Sequence, residues 1–221
     1  VMHTGQRNQV RVRVSKDAFE KGLRLRHFAE VLYTMIMDEF EAVVDKCQIT
    51  LITDAAQALK FRDEIAMPRY LQRDERLDSN TTLGKEIYDA FTEEVEADIY
   101  ILAHTTSPFI RTSTIEQAVE AVESGAHDSA FSAERIQTFT WWKGEPLNYS
   151  LQHIPRTQDL EPLYVETSAF FVFRSEVWKQ QHRRIGDKPF IAVTDRIESM
   201  DIDNPDDFTL AEAIVAAGLN R

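Results

Sequence analysis

The 221-residue chain has a single cysteine, Cys47, which excludes disulfides within it and any zinc site built from several cysteines. Cys47 lies in an apolar segment and reads as core. Glycine-rich signatures are missing as well. No loop ends in Gly-Lys-Ser/Thr and no Gly-x-Gly-x-x-Gly occurs, so neither a P-loop nor the standard dinucleotide fingerprint is present. The six histidines show no His-Glu-x-x-His spacing, His127 reads as an ordinary surface or core residue, and no Gly-x-Ser-x-Gly elbow supports a hydrolase triad. No apolar stretch approaches the roughly 20 residues that span a bilayer. The first 26 residues are charged and lack the apolar block of a signal peptide, so a cytoplasmic location is the expectation. The formal charge of −12 excludes nucleic-acid wrapping or an anionic membrane surface as partners, since both need a large positive field.

What positive charge there is gathers at the start. Residues 1–26 hold Arg7, Arg11, Arg13, Lys16, Lys21, Arg24 and Arg26 against Asp17 and Glu20, a balance of +5 that leaves −17 on the remainder of the −12 chain. A small basic segment on an acidic protein suits a compact polyanion such as a nucleoside triphosphate. It equally suits an arm that balances a nearby acidic surface.

With 43% hydrophobic residues, the chain can fill one large core, and the expectation is a single domain over residues 1–221. Phe28, Val31, Leu32, Met35, Phe40, Val43 and Val44 fall at helical spacings, and Ile49 to Ile52 forms a short apolar strand. The alternation continues with a helix from about Ala55 to Ile65. Another follows Ser79-Asn80-Thr81, with Leu83, Ile87, Phe91 and Val95 on one face. Ile99 to Ala103 reads as a buried strand. Thr112 or Ser113 can cap the next helix, which carries Ile115, Val119 and Val122 and stops at Gly125, and Ala130-Phe131 lies in a further strand. Strands separated by helices imply an α/β fold with a doubly wound, mostly parallel sheet. From Thr138 to Phe173 the helical period vanishes. β-rich pieces at Thr138 to Trp142 and Ser168 to Phe173 flank a polar stretch with three prolines, too long for an ordinary connection and so a functional or interface element. Trp141 and Trp142 point to opposite faces of a strand. Either one meets a partner subunit, or one fills the core and the other covers it.

Near the end, Asp201-Ile202-Asp203 sets two carboxylates one residue apart before the apolar run Phe208 to Ala217, which reads as a helix. In an extended segment both point to one side while Ile202 faces the core, an arrangement that suits Mg²⁺, which takes hard oxygen ligands together with substrate phosphates. Acidic residues also enrich helix starts, and Asp206 and Asp207 fit that role. In open parallel sheets ligands bind beyond the carboxyl ends of the strands. There stand Thr53-Asp54, then His104-Thr105-Thr106-Ser107-Pro108, then the segment leading from Phe190–Val193 to Asp201 and Asp203. Thr53, Asp54 and Ser107 are also ordinary loop and capping residues.

Four segments in order, Thr106-Ser107-Pro108-Phe109, Arg156-Thr157-Gln158-Asp159, Ser168 to Phe173 and Ile197 to Asp207, resemble the acylneuraminate cytidylyltransferases, or CMP-sialic acid synthetases, of the sugar nucleotidyltransferase class. Arg73 with Leu77 and Thr81-Thr82 resembles the family's Arg-containing loop. The likeness runs from about Phe28 to Ala217. It implies a Rossmann-like nucleotidyltransferase fold in which the anomeric hydroxyl of a nine-carbon 2-keto sugar acid attacks the α-phosphate of CTP, releasing pyrophosphate. It further implies that Asp201 and Asp203 are the catalytic pair and hold Mg²⁺, and that Thr53, Asp54 and Arg73 contact the nucleotide. His104, where many relatives carry Gln, would line the sugar side with Ser107, Arg156, Gln158 and Phe170, an arginine meeting the sugar carboxylate through a bidentate pair. The family's counterpart of residues 138–173 is a dimerisation arm that reaches the partner's site, so a homodimer is implied.

The opening departs from the family. Relatives carry an Arg-Gly-Gly-Ser-Lys-like loop, an Arg, a Lys-Asn pair and Gly-Lys-Pro-Leu. Here Gly5 stands alone, and Lys16-Asp17 and Gly22-Leu23-Arg24-Leu25 match loosely, with part of the first strand expected upstream of Val1. Arg7, Arg11, Arg13 and Lys16 therefore compete for the triphosphate contacts. Two alternatives stand beside the sialic-acid reading: another acidic sugar, such as an octulosonate or a diamino nonulosonate, or a nucleotide-binding relative without catalysis.

Overall fold

Three short strands, β1 (Arg11–Arg13), β2 (Thr50–Thr53) and β3 (Arg69–Gln72), run parallel to one another. The computed structural model describes residues 11–13, 50–53, 69–72, 74–78, 81–104 and 106–220. The helices expected at Phe28–Val44 and Ala55–Ile65 lie outside them, as do Arg7, Lys16, Cys47, Asp54 and Arg73. After β3 come α1 (Gly84–Glu94), β4 (Ile99–His104), α2 (Thr112–Glu123) and β5 (Ser129–Ile136). A small hairpin of β6 (Trp141–Trp142) and β7 (Glu145–Pro146) follows, then β8 (Leu163–Arg174), α3 (Ser175–Gln181), β9 (Pro189–Thr194) and α4 (Pro205–Ala216).

The main sheet has the order β3-β2-β1-β4-β8-β5-β9. Every neighbouring pair is parallel except those of β8, which lies antiparallel between β4 and β5. The chain steps outward from β1 to β3 and returns on the other side of β1 as β4, so the strand order reverses between β1 and β4. In open α/β sheets ligands bind at such a reversal, beyond the carboxyl ends of the strands.

β4 is an unbroken apolar run because both its faces are covered. Ile99, Ile101 and Ala103 pack with Phe170 and Val172 of β8 against Ile115, Ala118 and Val122 of α2. Tyr100 and Leu102 face the other way, onto Phe91, Val95, Phe171, Phe173 and Trp178. Each such side chain contributes about 1.5–3 kcal/mol on burial, enough in number to fix the sheet between two helical layers.

Several boundaries differ from the sequence expectation, each for a local reason. α1 begins at Gly84, with Leu83 as its N-cap and the Leu83 N–H donating to Glu86 Oε2 at 2.8 Å. Leu83 is thus exposed, and Ile87, Phe91 and Val95 alone face the core. α2 takes Arg111 as its N-cap and ends where Gly125 turns left-handed at φ 78°. α4 starts at Pro205, with Asp207 accepting from the N–H of Asn204 at 2.7 Å and of Asp203 at 3.1 Å. The strand expected over Thr138 to Trp142 shrinks to Trp141–Trp142, closed onto Glu145–Pro146 across Lys143 and Gly144 at φ 52° and 86°. Two consecutive positive φ values make the tight turn that matches strand twist. Both tryptophans are exposed, so neither fills the core. No helix among the described residues is long and apolar enough to cross a membrane.

Candidate functional site

At the reversal β1 and β4 end side by side, with Arg13 and His104 as register partners. Thr53 at the end of β2 pairs with Gln72 at the end of β3, so the carboxyl ends of the four parallel strands present Arg13, Thr53, Gln72 and His104 along one edge. Arg73 and Asp54 follow directly in sequence. The His104 ring is half-buried, 6.4 Å from the ring of Phe171.

Beyond His104 the chain makes a tight turn, its Ser107 N–H donating to the His104 carbonyl at 3.3 Å. Ser107, Phe109 and Ile110 are buried there. The apolar side of this turn seats the segment that carries the paired aspartates, Phe109 packing with Ile202 and Ala211 and with the partly buried Ile197, Met200 and Phe208. Two polar contacts complete the junction. The Ile202 N–H donates to the Thr106 carbonyl at 2.8 Å, and the Ser107 hydroxyl reaches Asp201 Oδ1 at 3.5 Å. Ile202 is 9% exposed, whereas Asp201 is half-buried and Asp203 exposed. The alternation expected from sequence is what the backbone adopts: the apolar residue inward, its two acidic neighbours away from the core.

Among the described residues no three His, Cys, Asp or Glu side chains gather into a closed metal cage. Two carboxylates on one open segment nevertheless fit Mg²⁺, which keeps several waters and shares its coordination with phosphate rather than demanding an all-protein cage.

A second carboxylate group lies just behind, unmarked in the sequence. Glu198 is 2% exposed and accepts from the Arg111 backbone N–H at 3.0 Å and from its guanidinium at 3.4 Å. Asp195 accepts from the same guanidinium and from the N–H groups of Ile197 and Glu198 at 2.9 and 3.0 Å. Burial works to raise the Asp195 pKa, but the hydrogen bonds from Glu198, Arg111 and Ile197 and the Arg111 charge outweigh it and hold the carboxyl below its ordinary value.

The other expected sugar-side residues are placed unevenly. Arg156 and Gln158 sit on the segment that leaves the same sheet edge after β5, in and beside a short 3₁₀ turn, Thr157–Asp159. Gln137 anchors this turn, donating to the carbonyls of Gln158 and Leu160 at 2.9 and 2.8 Å. The exposed Arg156 forks onto Asp159 at 2.8 and 2.9 Å, which raises its pKa above the ordinary value. Phe170 is fully buried in the core beside α2, so no part of its ring is open to a ligand. What reaches the edge beside it is the backbone of Ser168, held left-handed at φ 59° where β8 slips register against Phe131–Ala133. Such bulges re-aim a strand beside a site. The Ser132 hydroxyl secures it, accepting from Thr167 Oγ1 at 2.8 Å and from the Phe170 N–H at 3.2 Å.

A separate open groove of about 400 Å³ is lined by Gly84, Tyr88, Trp178, His182 and Arg184. Two of its polar groups hold structure: Trp178 Nε1 donates to Asp89 at 3.0 Å, and Arg184 bonds Glu166 at 2.9 Å while stacking over Phe171.

Comparison with known proteins divides the chain. Residues 1–58 match the family model of the CO dehydrogenase/acetyl-CoA synthase complex beta subunit. The carbon monoxide dehydrogenase/acetyl-CoA synthase subunit alpha of Moorella thermoacetica is 44% identical over 75 residues, which are 34% of this chain and 10% of that protein. The N-acylneuraminate cytidylyltransferase A of Danio rerio is 29% identical over 143 residues, 61% of this chain and 33% of that protein. The chain thus matches a third or less of the length of either relative. Arg7, Arg11, Arg13, Lys16, Thr53 and Asp54 all fall inside the stretch that matches the acetyl-CoA synthase family model; the first four also lie in the opening that departs from the cytidylyltransferases. The comparison of structures points to a different kind of protein. The structure of CMP:2-keto-3-deoxy-manno-octonic acid synthetase complexed with CTP superposes with a TM-score of 0.56 at 12% identity, covering 96% of this chain and 99% of that one. The architecture of this chain is the Rossmann-like nucleotidyltransferase fold.

Proposed function

We propose that this chain is a Mg²⁺-dependent cytidylyltransferase that transfers CMP from CTP to the anomeric hydroxyl of a sialic-acid-like 2-keto sugar acid. The observation that carries the reading is the junction at the strand-order reversal. There the turn after β4 holds Asp201 through Ser107 and, between Thr106 and Ile202, through a backbone hydrogen bond. The names of the Danio rerio relative and of the CTP-bound neighbour support the nucleotide and an acidic sugar as substrate class.

In this reading CTP lies across the carboxyl ends of β1 to β3, where Arg13 ends its strand and Lys16 follows in sequence, while Arg11 opens β1 at the other end. Of the competing Arg7, Arg11, Arg13 and Lys16, the triphosphate is therefore assigned to Arg13 and Lys16, with Thr53, Asp54 and Arg73 beside the nucleotide. Asp201 and Asp203 would hold Mg²⁺, which neutralises charge on the transferring phosphate. The sugar hydroxyl oxygen forms a bond to the α-phosphorus, the α–β phosphoanhydride bond breaks, pyrophosphate leaves, and the hydroxyl proton passes to solvent. Positioning and charge neutralisation supply most of the rate in such transfers. His104, Ser107 and Gln158 orient the sugar acid, and Phe170 acts through the strand it anchors. For Arg156 to meet the sugar carboxylate it exchanges Asp159, an exposed partner of the kind that contributes little. The reading includes a cytoplasmic setting and a homodimer. The arm supports the dimer by exposing Phe139, Trp141, Trp142, Leu147, Leu151 and Ile154, and aromatic side chains are enriched at subunit contacts.

One observation favours a second reading. Residues 1–58, which hold most of the proposed nucleotide contacts, match another family, and a chain altered there would keep the fold and bind nucleotide without turning it over. Pyrophosphate release from CTP and Mg²⁺ with a panel of 2-keto sugar acids separates the two. The first reading predicts turnover with one acid, reduced at least about 100-fold in Asp201→Asn, equivalent to about 2.7 kcal/mol of barrier. Binding of CTP with no turnover for any acid, octulosonates and diamino nonulosonates included, supports the second.

A further inference from the structure

The Arg111, Asp195 and Glu198 network is not used by the chemistry above, yet it sits at the root of the segment that carries it. Three attachments join the turn after β4 to the aspartate segment. At one end Arg111, the N-cap of α2, gives its backbone N–H and its guanidinium to Glu198, and its guanidinium to Asp195. In the middle Phe109 packs on Ile202. At the other end Thr106 and Ser107 hold Ile202 and Asp201. Between them the chain from Asp195 to Met200 is a closed turn. The Ser199 N–H donates to the Asp195 carbonyl at 2.8 Å, and the Met200 N–H to the Ile197 carbonyl at 3.1 Å. A displacement of Glu198 is therefore passed to Asp201 rather than absorbed by slack chain.

We propose that Glu198 and Arg111 are positioning residues: their bracket fixes the aspartate segment against the turn after β4 and so sets how tightly the Asp201/Asp203 pair takes a divalent cation. A carboxylate at 2% exposure persists only when it is paired and hydrogen-bonded. Here its partner is a backbone N–H as well as a guanidinium, which fixes direction as well as charge. Outer partners that orient metal ligands commonly change metal affinity when removed. The inference rests on the metal role assigned to Asp201 and Asp203 above, but not on the identity of the sugar or nucleotide.

The test compares the wild type with Glu198→Gln, Glu198→Ala and Arg111→Lys. Amide hydrogen exchange, without metal or nucleotide, is expected to quicken over residues 106–111 and 195–203 in Glu198→Ala and to stay unchanged over β4 and β8. Mn²⁺ binding, followed by its paramagnetic resonance signal without nucleotide, is expected to weaken about tenfold or more in Glu198→Ala. Arg111→Lys, which keeps the charge and the backbone N–H to Glu198, is expected to lose less affinity than Glu198→Ala. If the enzyme turns over, the Mg²⁺ concentration for half-maximal rate rises while kcat at saturating Mg²⁺ stays within about twofold of wild type, the split expected when binding alone is weakened. Should Glu198→Ala not fold, Glu198→Gln, which keeps the side-chain shape, carries the comparison. Unchanged Mn²⁺ affinity in folded variants overturns the proposal, as does a wild type that takes up no Mn²⁺. A wild type that binds Mn²⁺ in a Glu198-dependent way but releases no pyrophosphate upholds the bracket and contradicts the cytidylyltransferase reading instead.

Discussion

A Cβ added to Gly186 would lie 2.4 Å from Oδ1 of Asp128, and that carboxylate has no room to retreat. Its Oδ1 accepts from the Ser129 hydroxyl at 2.8 Å, and its Oδ2 from the N–H groups of Asp187 and Lys188 at 2.8 and 3.0 Å. Gly186→Ala is expected to cost about 1–3 kcal/mol by urea denaturation, as overpacking does, and less when Asp128 is also replaced by alanine, since the two sites are coupled. Burial acts to raise the Asp128 pKa, but the Ser129, Asp187 and Lys188 hydrogen bonds prevail and lower it. A folded-state value below the unfolded one gives stability that is fully present above the unfolded carboxylate pKa of about 3.9 and is lost as pH falls through the folded value. Asp128→Asn should therefore flatten the acid limb of the stability curve, measured by denaturation at a series of pH values. None of this clamp was legible in the sequence, because Asp128 and Lys188 stand 60 positions apart and each reads as a loop residue. Glu198 and Asp195 escaped for the same reason. The inward Ile202 between the outward Asp201 and Asp203 was legible, because strand-like alternation is written in three adjacent residues.

Elements were legible where a period had length to run. β4 and α2 follow from the apolar run Ile99 to Ala103 and from Ile115 and Val122 at helical spacing. α3 spans seven residues, too few to display a period, and only its buried Val177 and Trp178 mark it. The extension of α4 back to Pro205 comes from capping rather than from apolar pattern. Asp207 satisfies the N–H groups of Asn204 and Asp203, and its replacement by alanine should cost about 0.5–2 kcal/mol, the range for a lost cap. Because one of those N–H groups belongs to Asp203, Asp207→Ala is also expected to raise the Mg²⁺ concentration for half-maximal rate more than an equally destabilising change elsewhere. Titrating Mg²⁺ in the rate assay alongside a thermal melt checks both effects. Ser168 shows what element-level reading misses: a β-rich run was foreseen there, but the bulge that buries Phe170 and turns the Ser168 backbone to the edge depends on Ser132, on a different strand.

At the scale of the molecule, the alternation of strands and helices was enough to foresee a mostly parallel sheet, while the one reversed strand, β8, was hidden inside the helix-poor stretch. Three partners decide that strand's direction, β4, β5 and the arm that precedes it, and no local pattern encodes them. The arm's exposed Trp141 and Trp142, at 53% and 63%, lead to a prediction of assembly: the protein is a dimer by light scattering, and a Trp141→Ser, Trp142→Ser double variant shifts it toward monomer with its thermal midpoint nearly unchanged. A monomeric wild type removes the arm from the account. Residues 1–58 match acetyl-CoA synthase subunits, while the fold is similar to that of CMP:2-keto-3-deoxy-manno-octonic acid synthetase, so the proposed triphosphate contacts fall where the two likenesses part. The most direct measurement is phosphorus NMR of the protein with CTP, Mg²⁺ and a sialic-acid-like 2-keto acid. Transfer of CMP to the sugar predicts loss of the triphosphate signals with matched growth of pyrophosphate and of one sugar phosphodiester. A spectrum that stays that of CTP, or that yields CMP with no phosphodiester, would contradict transfer to the sugar.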